Sequence, residues 1–265
     1  MSLFAVARQC LDAESVAGKI EATFAAVTRY RNGELDLAKG DCAVEPIPLP
    51  GRPARPILVE PRALAKRGFG TVQGRASFVH SIAHIEFNAI DLAWDAIYRF
   101  RDMPDAYYAD WVSCAEDEAR HFQMLQQRLN ELGSTYGDFD AHNGLWEMAA
   151  NTAHDVMVRM ALVPRVLEAR GLDVTPGMIT KLRSLGDHST ADILEVILRE
   201  EVAHVAAGSR WFKYLCAQRG LDARETFNQL LNDYARSALF GPFNLDARRQ
   251  AGFDDAELDA LMALL

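Results

Sequence analysis

Two Glu-x-x-His patterns, Glu118-Ala-Arg-His121 and Glu201-Val-Ala-His204, lie 83 residues apart in a chain of 265. On a helix this spacing puts a carboxylate and an imidazole on one face, about one turn apart. Each pattern has a further glutamate upstream at nearly the same distance. Glu86 stands 32 residues before Glu118, and Glu168 stands 33 before Glu201. Four carboxylates and two imidazoles in the order Glu, Glu-x-x-His, Glu, Glu-x-x-His form the ligand set of a di-iron or di-manganese carboxylate centre held by four helices. Oxygen-rich ligation with some imidazole suits iron or manganese, and such metals activate O₂, which side chains alone do not. One Glu-x-x-His carries little weight, because the two residue types fall three apart by chance in many helices. Two copies with matched upstream glutamates are much harder to obtain that way.

Six ligands need long helices to carry them, and the hydrophobic spacing supplies these. A helix is expected from about Thr71 to Phe100, followed by a turn at Met103-Pro104-Asp105, where proline suits a helix start. A second helix runs to Leu132 and stops at Gly133. Glu86 and Glu118 lie at similar distances on either side of this turn, so an antiparallel hairpin brings both to one level. A loop over 134–144 precedes a third helix from Leu145 to Arg170, with Pro164 as a kink and Gly171 as its stop. A short helix to Leu185 follows Val174-Thr175-Pro176. The fourth long helix spans Ser189 to Arg219 and ends at Gly220. Residues 3–31 read as helical. Residues 41–61, with six prolines, read as an extended strap, and 223–239 and 254–265 as accessory helices. No segment shows strand alternation. The expected class is all-α: a four-helix bundle over 71–219, an N-terminal helix and Pro/Arg-rich strap over 1–70 packed on it, and C-terminal helices over 220–265. All three parts would form one structural domain. Two hairpins, each carrying Glu and Glu-x-x-His, would be related by a pseudo-two-fold axis between two metals.

Composition narrows the function classes. The chain is 49% hydrophobic and 25% charged, ordinary for a globular protein. No run approaches the ~18 apolar residues of a membrane span, and charges interrupt the N-terminus where a signal peptide would be apolar. A cytoplasmic protein without a membrane partner is expected. Cys10, Cys42, Cys114 and Cys216 are scattered, which argues against a disulfide scaffold or a Cys-ligated zinc or iron centre. The net charge of −9 argues against general nucleic-acid affinity. A local basic strip nevertheless runs through Arg52, Arg55, Arg62, Lys66, Arg67 and Arg75.

The ligand order resembles that of the ferritin-like superfamily over about Thr71 to Arg219. The Pro50-Gly51-Arg52-Pro53 lead before His84-Ile85-Glu86 resembles a bacterial branch known only as a domain of unknown function. Asp117-Glu118-Ala-Arg-His121 is similar to the Asp-Glu-x-Arg-His motif of di-iron monooxygenases. That resemblance implies that Asp117, and Glu200 at the matching position, hold the ligating histidines in place from outside the ligand set. It further implies two iron ions, with Mn/Fe or Mn as variants, and a reaction between O₂, an electron donor and an organic substrate. Ferritin-like hydroxylases acting on tRNA exist, so the basic strip leaves an RNA substrate open. Some features depart from known branches. Leu125 stands where radical-bearing ribonucleotide reductase subunits commonly have tyrosine, and the cysteine spacing does not match the second iron site of rubrerythrins. Bacterioferritins share the six-ligand pattern but are shorter, without the arm and extension.

An O₂-activating oxidase or hydroxylase, as a monomer or small homo-oligomer, is therefore expected. A ferroxidase or iron-handling protein and a metal-stabilised structural bundle are the alternatives. The same-face neighbours Ile82, Ala83, Ala89, Ile90, Cys114, Ala115, Phe122, Ile197, Leu198 and Val205 would give the metals an apolar sleeve. Cys114 reads as a small core residue, and Trp111 and Trp211 as core. His84 points away from the metals, His80 shares its face, His154 is structural, and His142 and His188 are solvated. A helix end at Gly171 would leave Glu168 near a terminus, with 172–185 as cover and an entry route beside it.

Overall fold

The computed structural model describes residues 1–38, 43–65, 68–235 and 240–263. Cys42, Lys66, Arg67, residues 236–239 and residues 264–265 lie outside them. The described residues are all-helical. No strand occurs among them, only isolated bridges at Ser2–Asp36 and Leu58–Ala141. The chain divides into two compact units, residues 1–150 and 151–265. Each unit carries one copy of the ligand pattern.

In the first unit, α1 (Leu3–Asp12) and α2 (Val16–Arg31) are followed by the strap. The core is a hairpin of α3 (Val72–Arg99) and α4 (Asp105–Glu131), and α5 (Gly144–Asn151) ends the unit. The expected single helix over 3–31 is two. Ser15 breaks it, because its hydroxyl caps α2 by accepting from Gly18 N at 3.0 Å, a strong start signal. The strap crosses that break, and Gly51 N donates to Leu11 O at 2.7 Å. A Cβ at Gly51 would sit 2.4 Å from Asp12 O, so only glycine fits. Lys19 of α2 is fully buried and paired with Asp91 of α3 at 2.5 Å, while also donating to the carbonyls of Cys10 and Leu11. This pair ties α1 and α2 to α3. Further along, the strap is held by Trp146 Nε1 donating to Pro48 O at 3.0 Å and by reciprocal bonds between 57–59 and Ala141.

In the second unit, α6 (Val156–Leu162), a π-helical segment (Val163–Glu168) and α7 (Ala169–Ser184) form one continuous arm. It turns at 185–187 into α8 (His188–Gln218). Then come α9 (Ala223–Leu230), a second π segment (Leu231–Ala235), α10 (Leu245–Gln250) and α11 (Asp255–Met262). The expected third helix, 145–170, is corrected at both ends. Its start is interrupted at Thr152–Asp155, where the Asp155 carboxylate caps α6 by accepting from Met157 N at 2.7 Å. Its stop at Gly171 does not occur. Pro176 inside α7 cannot donate to the carbonyl of Leu172. That carbonyl instead accepts from the side-chain amide of Asn244 at 3.1 Å, so the helix survives the proline. Asp173, buried and bonded twice by Arg248 at 2.9 and 2.7 Å, holds the same stretch helical.

The π segment packs closely on α8. A Cβ added to Gly208 would meet Pro164 Cγ at 2.2 Å and Cβ at 2.4 Å, whereas one added to Gly177 of α7 would meet nothing within 4 Å. Replacing a mid-helix glycine by alanine gains up to about 1 kcal/mol, but overpacking a tight contact costs about 1–3 kcal/mol. Gly208→Ala should therefore lower the urea midpoint, and Gly177→Ala, at an exposed site, should raise it slightly. A stabilised Gly208→Ala protein would show that the Pro164 contact is not tight.

Candidate metal centre

In the first unit, the turn between α3 and α4 sets the register of the hairpin, and that register brings Glu86, Glu118 and His121 together. All three are buried. Each offers one ligand atom, and these atoms lie within 4.8 Å of one another. His121 Nδ1 is 3.1 Å from Glu86 Oε2 and 3.8 Å from Glu118 Oε2. Burial by itself would lower the pKa of His121. Its hydrogen bonds and charge interactions with Glu118 and Glu86 outweigh this and push it up to about 11. Without a metal the imidazolium is therefore the cation between two carboxylates. Two carboxyl groups and an imidazole this close together away from water favour a cation among them. Two carboxylates and an imidazole suit Fe, Mn or Zn. A buried cluster that could hold a metal ion is thus present, and it is composed of residues expected from the spacing.

In the second unit, His204 Nδ1 is 3.4 Å from Glu201 Oε1. As in the first motif, it is Nδ1 of the histidine that faces the glutamate one turn before it. Glu168 ends the π segment and is half-buried. The arm and α8 are antiparallel, and Pro164 meets Gly208. Glu168 is one turn beyond Pro164 and His204 one turn before Gly208, so this contact sets Glu168 and His204 at one level. The expected placement of Glu168 beside a helix terminus is corrected: it lies inside the continuous arm. The entry route inferred at Gly171 had that terminus as its premise and falls with it. Residues 172–184 are the body of α7, not a separate cover.

The surroundings are apolar in each unit. Ala83, Ala89, Ile90, Cys114, Ala115 and Phe122 are buried around the first cluster, and Ile197 and Val205 are buried on α8. Trp111 and Trp211 are core residues. Asp117 is half-buried and accepts from Arg120 Nη2 at 2.6 Å, which explains the arginine of the motif as its partner. Glu200 meets Arg199 Nη2 at 3.4 Å. His84 bonds elsewhere, with Nδ1 2.8 Å from Tyr136 Oη and Nε2 3.1 Å from His142 O. Burial lowers both His84 and His80 to about 4, so both are neutral at pH 7. His154 and His188 are exposed and His142 is half-buried. Within the strip, Arg55 and Arg62 are exposed, whereas Arg52 and Arg75 are half-buried.

Tyr136 has no counterpart in the sequence reading. Its ring packs 5.4 Å from Phe87 and 5.0 Å from Phe122, each next to a residue of the cluster, and 5.2 Å from His80. It comes from an aperiodic loop, so only its being aromatic among Gly, Ser, Thr and Asp could have marked it.

The fold and cluster define an all-helical protein with a buried carboxylate–imidazole cluster suited to a metal ion. Among the described residues no helix is long and apolar enough to cross a membrane. Residues 12–259 match the family described as "Protein of unknown function (DUF455)", and the chain belongs to that family. It is similar to an uncharacterized protein of Haemophilus influenzae, 49% identical over 214 residues, covering 78% of this chain and 74% of the relative. No solved structure matches it.

If the cluster holds a metal, the metal-free protein should gain stability on loading, by about 2.7 kcal/mol at a hundred times Kd. Glu86→Gln, Glu118→Gln and His121→Ala should each reduce the rise in Tm while keeping the helical circular-dichroism spectrum. Identical melting curves with and without saturating Fe(II), Mn(II) or Zn(II) would contradict a metal role for these residues.

Proposed function

We propose that the protein is a dimetal carboxylate oxidoreductase of the ferritin-like type, which uses O₂ to oxidise or hydroxylate an organic substrate. The buried Glu86–Glu118–His121 cluster in the first unit supports this reading most strongly. The second unit repeats the motif with its histidine turned the same way, Nδ1 toward the glutamate. On this reading Glu86, Glu118 and His121 of the first unit and Glu168, Glu201 and His204 of the second are the ligands of two iron ions. Two irons, when bound, supply the redox capacity for O₂ activation. The chain's residues bind and orient the metals, keep water out with the apolar sleeve, and fix the imidazoles through Asp117 and Glu200. Two electrons beyond those of a hydroxylated substrate come from a separate donor.

The test separates this reading from iron storage and from a structural role. Anaerobically reconstituted protein should hold two irons per chain, consume O₂ rapidly as the diferrous form, and remain a small species with two irons afterwards. A large shell holding hundreds of irons would support storage instead. Bound iron that is inert toward O₂ would leave the metal a structural part.

A further inference from the structure

Glu168 ends a π segment, and that raises a mechanical question about the site. A π turn holds one residue more than an α turn, and π turns are rare and short. Reverting to α geometry would move the end of the segment by one residue, about 100° around the axis, and would re-aim Glu168. Something must therefore hold the segment in register. Pro164 and Gly208 fix one end by close contact. The other anchor is Arg165. Its side chain is fully buried, and its guanidinium carbon lies 4.9 Å from the ring of Phe212, 4.1 Å from Phe227 and 4.5 Å from Phe253. Its one charged partner among the described residues is Glu257 of α11. Among the described residues, no acceptor faces Arg165 Nε or Nη1. A buried guanidinium with a single carboxylate and three rings around it has nowhere else to go, because leaving that carboxylate would strand two buried charges. Arg165 is three residues before Glu168 in the same segment.

We infer that Arg165 and Glu257 are positioning residues for Glu168, so that α11, far along the chain, sets the aim of one metal ligand. This rests on the dimetal reading above. Glu257 is suited to such a role because it is itself held. Its carboxylate accepts from Asp254 N at 2.9 Å in the capping box of α11, and Lys213 of α8 lies 3.3 Å away. The second buried pair of the unit, Arg248 with Asp173, serves as the comparison. It joins α10 to α7 and has no residue in the π segment.

The experiment is Co(II) titration of metal-free full-length protein, read by the visible d–d spectrum, for wild type, Glu257→Gln and Asp173→Asn, with helicity and Tm measured in parallel. Both variants should lose thermal stability. Glu257→Gln should weaken one of the two cobalt ions by roughly 10–100-fold, the usual effect of removing a support behind a ligand, and alter its spectrum. Asp173→Asn should leave both affinities within about twofold. If Glu257→Gln fails to fold, Arg165→Lys is read in its place, with the same expected weakening. Unchanged cobalt affinities in Glu257→Gln, or equal weakening in Asp173→Asn, would overturn the inference while leaving the dimetal reading intact. A wild type that takes up no cobalt would overturn both.

Discussion

Carboxylates buried close together repel one another and lose their hydration, and the first unit is built around such a group. Glu86 and Glu118 are both buried with ligand atoms near His121. In a low-dielectric interior such a pair needs a nearby cation or a proton of its own. The proton held on His121 offsets part of it, which explains why that pKa is raised despite burial. The surrounding apolar residues intensify the demand, since they offer no dipoles to stabilise a net negative cluster. A metal cation answers it more completely than a proton.

The second unit handles its buried charges by pairing. Arg165 meets Glu257, and Arg248 meets Asp173, each inside a cage of phenylalanines. These pairs join the C-terminal helices to an arm that contains a proline, a π segment and a further proline. Such an arm would not hold its shape from local hydrogen bonds alone, because each proline removes a backbone donor. At Pro176, Asn244 restores the missing bond by donating to the carbonyl of Leu172. The C-terminal helices thus have a physical role in keeping this arm helical.

Much of this was legible in the sequence. The helices now seen as Val72–Arg99, Asp105–Glu131 and His188–Gln218 match the expected limits within a residue or two, because long amphipathic runs with clear stops leave little ambiguity. Counting outward from the Pro104 turn put Glu86 and Glu118 at one level, and the two offer ligand atoms close together beside His121. The third arm was misread because Gly171 and Pro176 are local stop signals, while the partners that override them, Asn244 and Arg248, lie about 70 residues away. Residues 3–31 were read as one helix because helical spacing continues across the break. The Ser15 cap shows only once its hydroxyl is seen to accept from Gly18 N. Tyr136 was missed because no periodicity governs a loop.

The most direct measurement is anomalous diffraction at the iron edge from crystals of anaerobically reconstituted protein. The account predicts two peaks, one within bonding distance of Glu86, Glu118 and His121, the other within bonding distance of Glu201 and His204, with Glu168 at the centre. No peak, or peaks bound by other residues while these six turn elsewhere, would contradict it.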